Sequence, residues 1–115
     1  KVGIIELGAI WLPSYLRQLE AAMEAFGRHE ERLQKLSLKP SEYVTRQVRV
    51  TPYPTEPAGW IIEQSGPDIC MFSSDYPHLE GGRNPYGRFQ RTTQNLDEET
   101  LNKFYRTNFE DLVGI

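Results

Sequence analysis

The chain has 115 residues, 38% of them hydrophobic and 25% charged, with nine glycines and eight prolines. That suits one soluble domain with a modest core and excludes a disordered segment. The formal net charge is −3 with the two signs interspersed, so there is no basic patch to recruit nucleic acid. The apolar runs are far too short to span a bilayer.

Val2–Glu6 (VGIIE) is a β-branched run that stops before Gly8, the pattern of a buried strand. Lys1 leads directly into it, so no leader peptide is expected. Tyr15, Leu16, Leu19, Met23 and Phe26 then fall at three- and four-residue spacings, one face of a helix that starts near Leu12 with Pro13 in its first turn. Gly27 marks a break, and the charged stretch Arg28 to Lys35 continues helically. Pro40-Ser41-Glu42-Tyr43 opens a short helical turn. Gln47–Thr51 alternates as a second strand. Pro52, Pro54 and Pro57 bar further sheet pairing. Ala58–Ser65 is a short helix with Trp60, Ile61 and Ile62 inward, ended by Gly66-Pro67.

Ile69–Ser73 is apolar on both faces, as a buried parallel strand should be. Cys70, the single cysteine, lies within it. It has no internal disulfide partner, which points to a reducing, cytoplasmic compartment, and burial makes it inert. Ser74–Asn84 is a polar, glycine-rich loop and Pro85–Gln94 is helical. Asp97 is an N-cap, with Glu98 and Glu99 in the positive first turn of a last helix reaching about Leu112. The order β-α-β-α-β-α implies α/β architecture, parallel strands and crossover helices over residues 1–115 as one unit.

In such folds the chemistry sits where the strands end. The strongest signal is Ser73-Ser74-Asp75-Tyr76-Pro77-His78, an acid ending a buried strand and followed at once by Tyr, Pro and His. Asp75 there can ligate a metal or take a proton, and His78 can donate to a substrate or shuttle a proton. The bland alternative makes Asp75 a turn cap and His78 a solvated loop residue. Glu6 ends the first strand and can carry a proton, touch substrate, or pair with Arg46 or Arg49. Trp11 can wall a pocket or belong to the core. Arg46 can bind a carboxylate substrate or form a surface ion pair, and Tyr76 can line a pocket. One good metal ligand, with His78 as a second, falls short of the three or four that a site needs.

Three stretches together, Glu6-Leu7-Gly8-Ala9-Ile10-Trp11-Leu12-Pro13, Lys39-Pro40-Ser41-Glu42-Tyr43 and Ser73 to Gly81, resemble the C-terminal third of the amidohydrolase-related, metal-dependent (β/α)₈ (TIM) barrel family. The resemblance covers nearly the whole chain. It implies that the three strands are barrel strands six, seven and eight, and that Asp75 is the metal-ligating aspartate after strand eight. The family's other ligands, a His-x-His and a later histidine, would lie upstream. Members bind zinc or a related divalent ion, either to activate water for hydrolysis or to hold a carboxylate for decarboxylation. Decarboxylase-like members tend to carry histidine where Glu6 stands, which tilts the expectation to a hydrolase acting on a small molecule. Decarboxylation and a non-catalytic binding or assembly module stay open.

A whole barrel takes about 250 residues. The resemblance therefore implies about three of eight units here, with strand edges unpaired, little activity in isolation, weak metal binding and a homo-oligomeric tendency.

Overall fold

A computed structural model describes all residues from Lys1 to Ile115. It is a mixed α/β arrangement with a small parallel sheet. In chain order the elements are β1 (Val2–Ile4), α1 (Leu12–Phe26), α2 (Glu31–Gln34), α3 (Pro40–Gln47), β2 (Val48–Val50), α4 (Ala58–Ser65), a 3₁₀ turn (Leu79–Gly81), α5 (Pro85–Thr92), α6 (Glu98–Asn102), a π-helical turn (Lys103–Thr107) and α7 (Asn108–Val113).

β1 and β2 pair in parallel, with Val2 beside Val48, Gly3 beside Arg49 and Ile4 beside Val50. The third extended segment joins β2 through one parallel bridge, Val50 to Cys70. Val50 N–H donates to the Ile69 carbonyl, and Met71 N–H to the Val50 carbonyl, both at 2.9 Å. The parallel order expected from the sequence is present, but the ladders are shorter than the five-residue runs. The chain leaves β1 at Glu6, whose backbone is left-handed. Beyond Met71 the Phe72 N–H turns to a helix instead of a strand, donating to the Phe104 carbonyl at 2.8 Å.

Phe104 lies in the π-helical turn, across which the Asn108 N–H reaches back five residues to Lys103. Asn108 then sends its side-chain amide to the carbonyls of Cys70 and Pro67. The outer edge of the third segment is thus covered by the last helix. The outer edge of β1 is not: Val2 and Ile5 are more than half exposed, where the sequence pattern predicts a buried strand.

The core lies between the sheet and the helices, built from Leu12, Leu16, Val50, Ile61, Ile62, Ile69, Cys70, Phe89 and Phe104, with Phe72 packed against it. Each large side chain buried there contributes about 1.5–3 kcal/mol. Four rings, Tyr86, Phe89, Phe104 and Tyr105, surround Phe72 with centroids 5.6–6.4 Å away. Trp60 points outward and is half exposed, contrary to the inward position its helix suggested, because Ile61 and Ile62 take the buried face. Phe26 is exposed at the far end of α1, which runs beyond the core. α3 is a full eight-residue helix, not a single turn. The Glu42 carboxylate accepts the Lys39 N–H at 2.7 Å, and Glu20 of α1 accepts the Ser41 N–H at 3.0 Å, which fixes the helix start. No helix is long and apolar enough to cross a membrane.

Candidate functional site: a carboxylate-histidine cluster at the strand ends

The carboxyl ends of β1, β2 and the third segment meet around a cavity of about 210 Å³. Glu6, Tyr53, Asp75, Tyr76 and His78 are among its lining residues. Glu6, Asp75 and His78 come together there, with one ligand atom from each lying within 4.8 Å of the others. His78 Nδ1 is 3.3 Å from Asp75 Oδ1 and 3.6 Å from Glu6 Oε1. The Asp75 side chain is 12% exposed, whereas those of Glu6 and His78 are 62% and 56% exposed. One sheltered acid thus faces two groups open to solvent.

The backbone singles out the same two acids. Glu6 (φ 60°) and Asp75 (φ 56°) are the only non-glycine residues with positive φ. Left-handed backbone costs an ordinary residue about 1–2 kcal/mol, and it persists only where the surroundings impose it. At Asp75 the loop imposes it. The Ser73 hydroxyl accepts the Asp75 N–H and the Ser74 hydroxyl accepts the Tyr76 N–H, both at 3.3 Å. His78 N–H donates to the Asp75 carbonyl at 2.8 Å, which brings the imidazole back over the carboxylate. The 3₁₀ turn closes against this bend at Gly81, where a Cβ would stand 2.3 Å from the Ser74 carbonyl oxygen.

At Glu6 the clamp comes from the loop after β2. Tyr53 donates its hydroxyl to the Glu6 carbonyl at 2.6 Å. Loss of solvation, and then the charges of Asp75, Glu80, Glu6 and Glu56, push the Tyr53 phenol above its usual range. The rim is therefore a region of negative potential. Two carboxylates and an imidazole in a negative field match what a divalent cation of the zinc type takes, so the residues present fit such an ion.

Of the remaining residues singled out in the sequence, Tyr76 lines the cavity as an exposed ring. Trp11 does not line it: its indole N–H donates to the Gly8 carbonyl at 2.9 Å, so it anchors the loop behind Glu6. Arg46 is not brought there either, because it sits in the last turn of α3, before β2, and stacks on Tyr43 at 5.1 Å. Arg49, the other partner considered for Glu6, is buried and pairs with Asp111. The sequence places Tyr53 at a strand end but marks neither Tyr53 nor Glu56 as a site residue. The signal available was their place, directly after the second strand, at the end where chemistry was expected.

No protein-family model matches the chain, and no curated protein matches it. Among solved structures it is similar to an amidohydrolase from Mycobacterium avium subsp. paratuberculosis K-10, at a TM-score of 0.78 and 26% identity over 99% of this chain. The chain spans 28% of that protein's length. The parallel fold and this likeness are consistent with a fragment of an amidohydrolase.

Proposed function

We propose that the chain is the C-terminal part of a metal-dependent (β/α)₈-barrel hydrolase, carrying barrel strands six to eight and one wall of the active site. The observation behind this reading is the meeting of Glu6, Asp75 and His78 at the ends of three parallel segments, with both acids on left-handed backbone. The 26% identity to an amidohydrolase supports it independently.

In this reading Asp75 and His78, with Glu6 beside them, would hold a divalent ion, zinc or a relative. When bound, such an ion supplies Lewis acidity to a substrate and to water. The residues themselves supply the rest. Asp75, nearly buried, holds the His78 imidazole in orientation through Nδ1. That contact leaves Nε2 as the nitrogen His78 would offer the ion, while the Tyr76 ring flanks the opening to a small-molecule substrate. Glu6, open to solvent, can receive a proton from the reacting side and release it to water. The chain alone is inactive, because the further ligands that the reading requires lie upstream, and metal binding to it alone is weak.

Calorimetric titration of the chain with zinc tests this. The expected result is weak but saturable one-to-one binding that disappears in Asp75→Ala. Absence of any saturable binding, or binding indifferent to that substitution, overturns the metal assignment.

A further inference from the structure

We propose that Glu56 is the positioning residue of this rim: it ties the loop after β1 to the loop after β2 and thereby holds Glu6 against Asp75 and His78. The inference rests on the metal-site reading above for its consequence, though not for its geometry.

Glu56 reaches no group of the cluster directly. Its carboxylate accepts three backbone N–H groups from two separate loops: Ala9, at 2.9 Å and 3.1 Å to its two oxygens, Ile10 at 3.0 Å and Tyr53 at 2.7 Å. Ala9 and Ile10 lead into α1, and Tyr53 follows β2, so one side chain closes a gap of about 47 residues along the chain. Hydrogen bonds from N–H to a carboxylate are about twice as strong as neutral ones and fix direction as well as distance.

The tie extends to Glu6 through two contacts. Tyr53, whose N–H Glu56 holds, places its hydroxyl on the Glu6 carbonyl. Gly8, at φ 62°, packs so closely that a Cβ would stand 2.6 Å from Glu56 Oε1 and 2.8 Å from the Tyr53 ring. The turn from Glu6 to Gly8 is therefore gripped on one side by Glu56 and Tyr53, while Trp11 holds the Gly8 carbonyl. Glu6 keeps its left-handed backbone because this grip leaves the turn no other course. Without it the exposed Glu6 carboxylate swings free of His78, and the cluster falls to Asp75 and His78.

The experiment is a double-mutant cycle on the whole chain with zinc as the probe. Glu56→Gln keeps the size of the side chain but presents an amide N–H₂ to donors. It is expected to weaken zinc binding on the order of tenfold, as loss of a ligand-orienting group does. Glu6→Gln should cost about the same, and the double variant no more than Glu6→Gln alone, because Glu56 acts through Glu6. Unchanged zinc affinity in Glu56→Gln, or losses that multiply in the double variant, overturns the proposal.

Amide hydrogen exchange without metal supplies an arm independent of zinc. In Glu56→Gln the Ala9, Ile10 and Tyr53 amides are expected to lose protection and the Glu6 resonances to shift, while Ile61 and Phe104 keep theirs. If the native chain takes up no zinc, the metal reading fails and this arm alone decides the role of Glu56; unaltered protection and Glu6 resonances overturn it. Should Glu56→Gln not fold, Tyr53→Phe removes only the hydroxyl on Glu6 and is expected to weaken zinc about threefold. Full affinity in that variant counts against the proposal.

Discussion

The Asn108 side-chain amide donates to the Cys70 carbonyl at 2.7 Å, standing where a neighbouring strand would otherwise donate. Together with the Phe72 N–H bound to the Phe104 carbonyl, it satisfies one edge of the sheet from a helix. The opposite edge, along β1, has no such cover. The two edges of one small sheet therefore differ in kind, and the difference has measurable consequences.

Asn108→Ala leaves the buried Cys70 carbonyl and the partly buried Pro67 carbonyl without the partner they have now. The expected loss of stability is about 2–3 kcal/mol, read from urea unfolding. A loss no larger than that of an exposed helical alanine substitution would mean that water replaces the amide and the edge is not closed by this residue.

At the β1 edge, Val2, Ile5 and Leu7 expose apolar side chains beside unpaired backbone. Such an edge templates pairing between chains. Size-exclusion chromatography is expected to give concentration-dependent association of the native sequence, reduced in a Val2→Lys, Leu7→Glu variant. A monomer at all concentrations would show that the edge is blunted by other means.

Stability should fall in acid, partly through Asp111. The hydrogen bond from Lys1, opposed by burial and helped by the Arg49 charge, holds its carboxyl below the usual range. A depressed folded value means that the folded state binds fewer protons than the unfolded chain around pH 4, so this contribution is complete above that pH and is lost as pH falls through the lowered value. Asp97, lowered by the Thr100 N–H, and Glu20, lowered by Ser41, act in the same sense. Asp111→Asn should flatten the acid limb of a urea-midpoint profile between about pH 5 and pH 2, while leaving buried Arg49 without its carboxylate at neutral pH. An acid limb as steep as the native one would remove Asp111 from the account.

Burial, and then the Glu56 charge, push the Cys70 thiol up to about 12. The folded chain is expected to resist thiol reagents at about pH 8 and to react fully only in denaturant. Rapid modification of the native chain would show that the core around Cys70 opens.

Much of this arrangement was legible in the residues. β-branched runs separated by helical spacing gave three parallel extended segments, and Asp97 caps its helix through the Thr100 N–H as its position implied. Asp75 and His78 stood out because an acid and a histidine directly after an apolar run occupy a strand end. Other features depended on tertiary contacts with no local signature. Trp60 faces outward because two isoleucines compete for the same buried face. The third segment stops pairing after one bridge, and its Phe72 N–H goes instead to the Phe104 carbonyl in the π-helical turn. Glu56, in a proline-rich loop, reads as a surface acid until the fold brings Ala9 and Ile10 to it across the chain. Left-handed backbone at Glu6 is likewise imposed by loops that meet only in three dimensions, whereas at Asp75 it comes from the serines and His78 of its own loop.

The central claim is that Glu6, Asp75 and His78 form a cation site at the strand ends. Anomalous diffraction at the zinc edge from crystals of the chain soaked in zinc tests it most directly. The account predicts a peak within bonding distance of Asp75 and His78, with Glu6 turned toward it. Zinc bound only elsewhere on the chain, with these three side chains ordered and unligated, would contradict it.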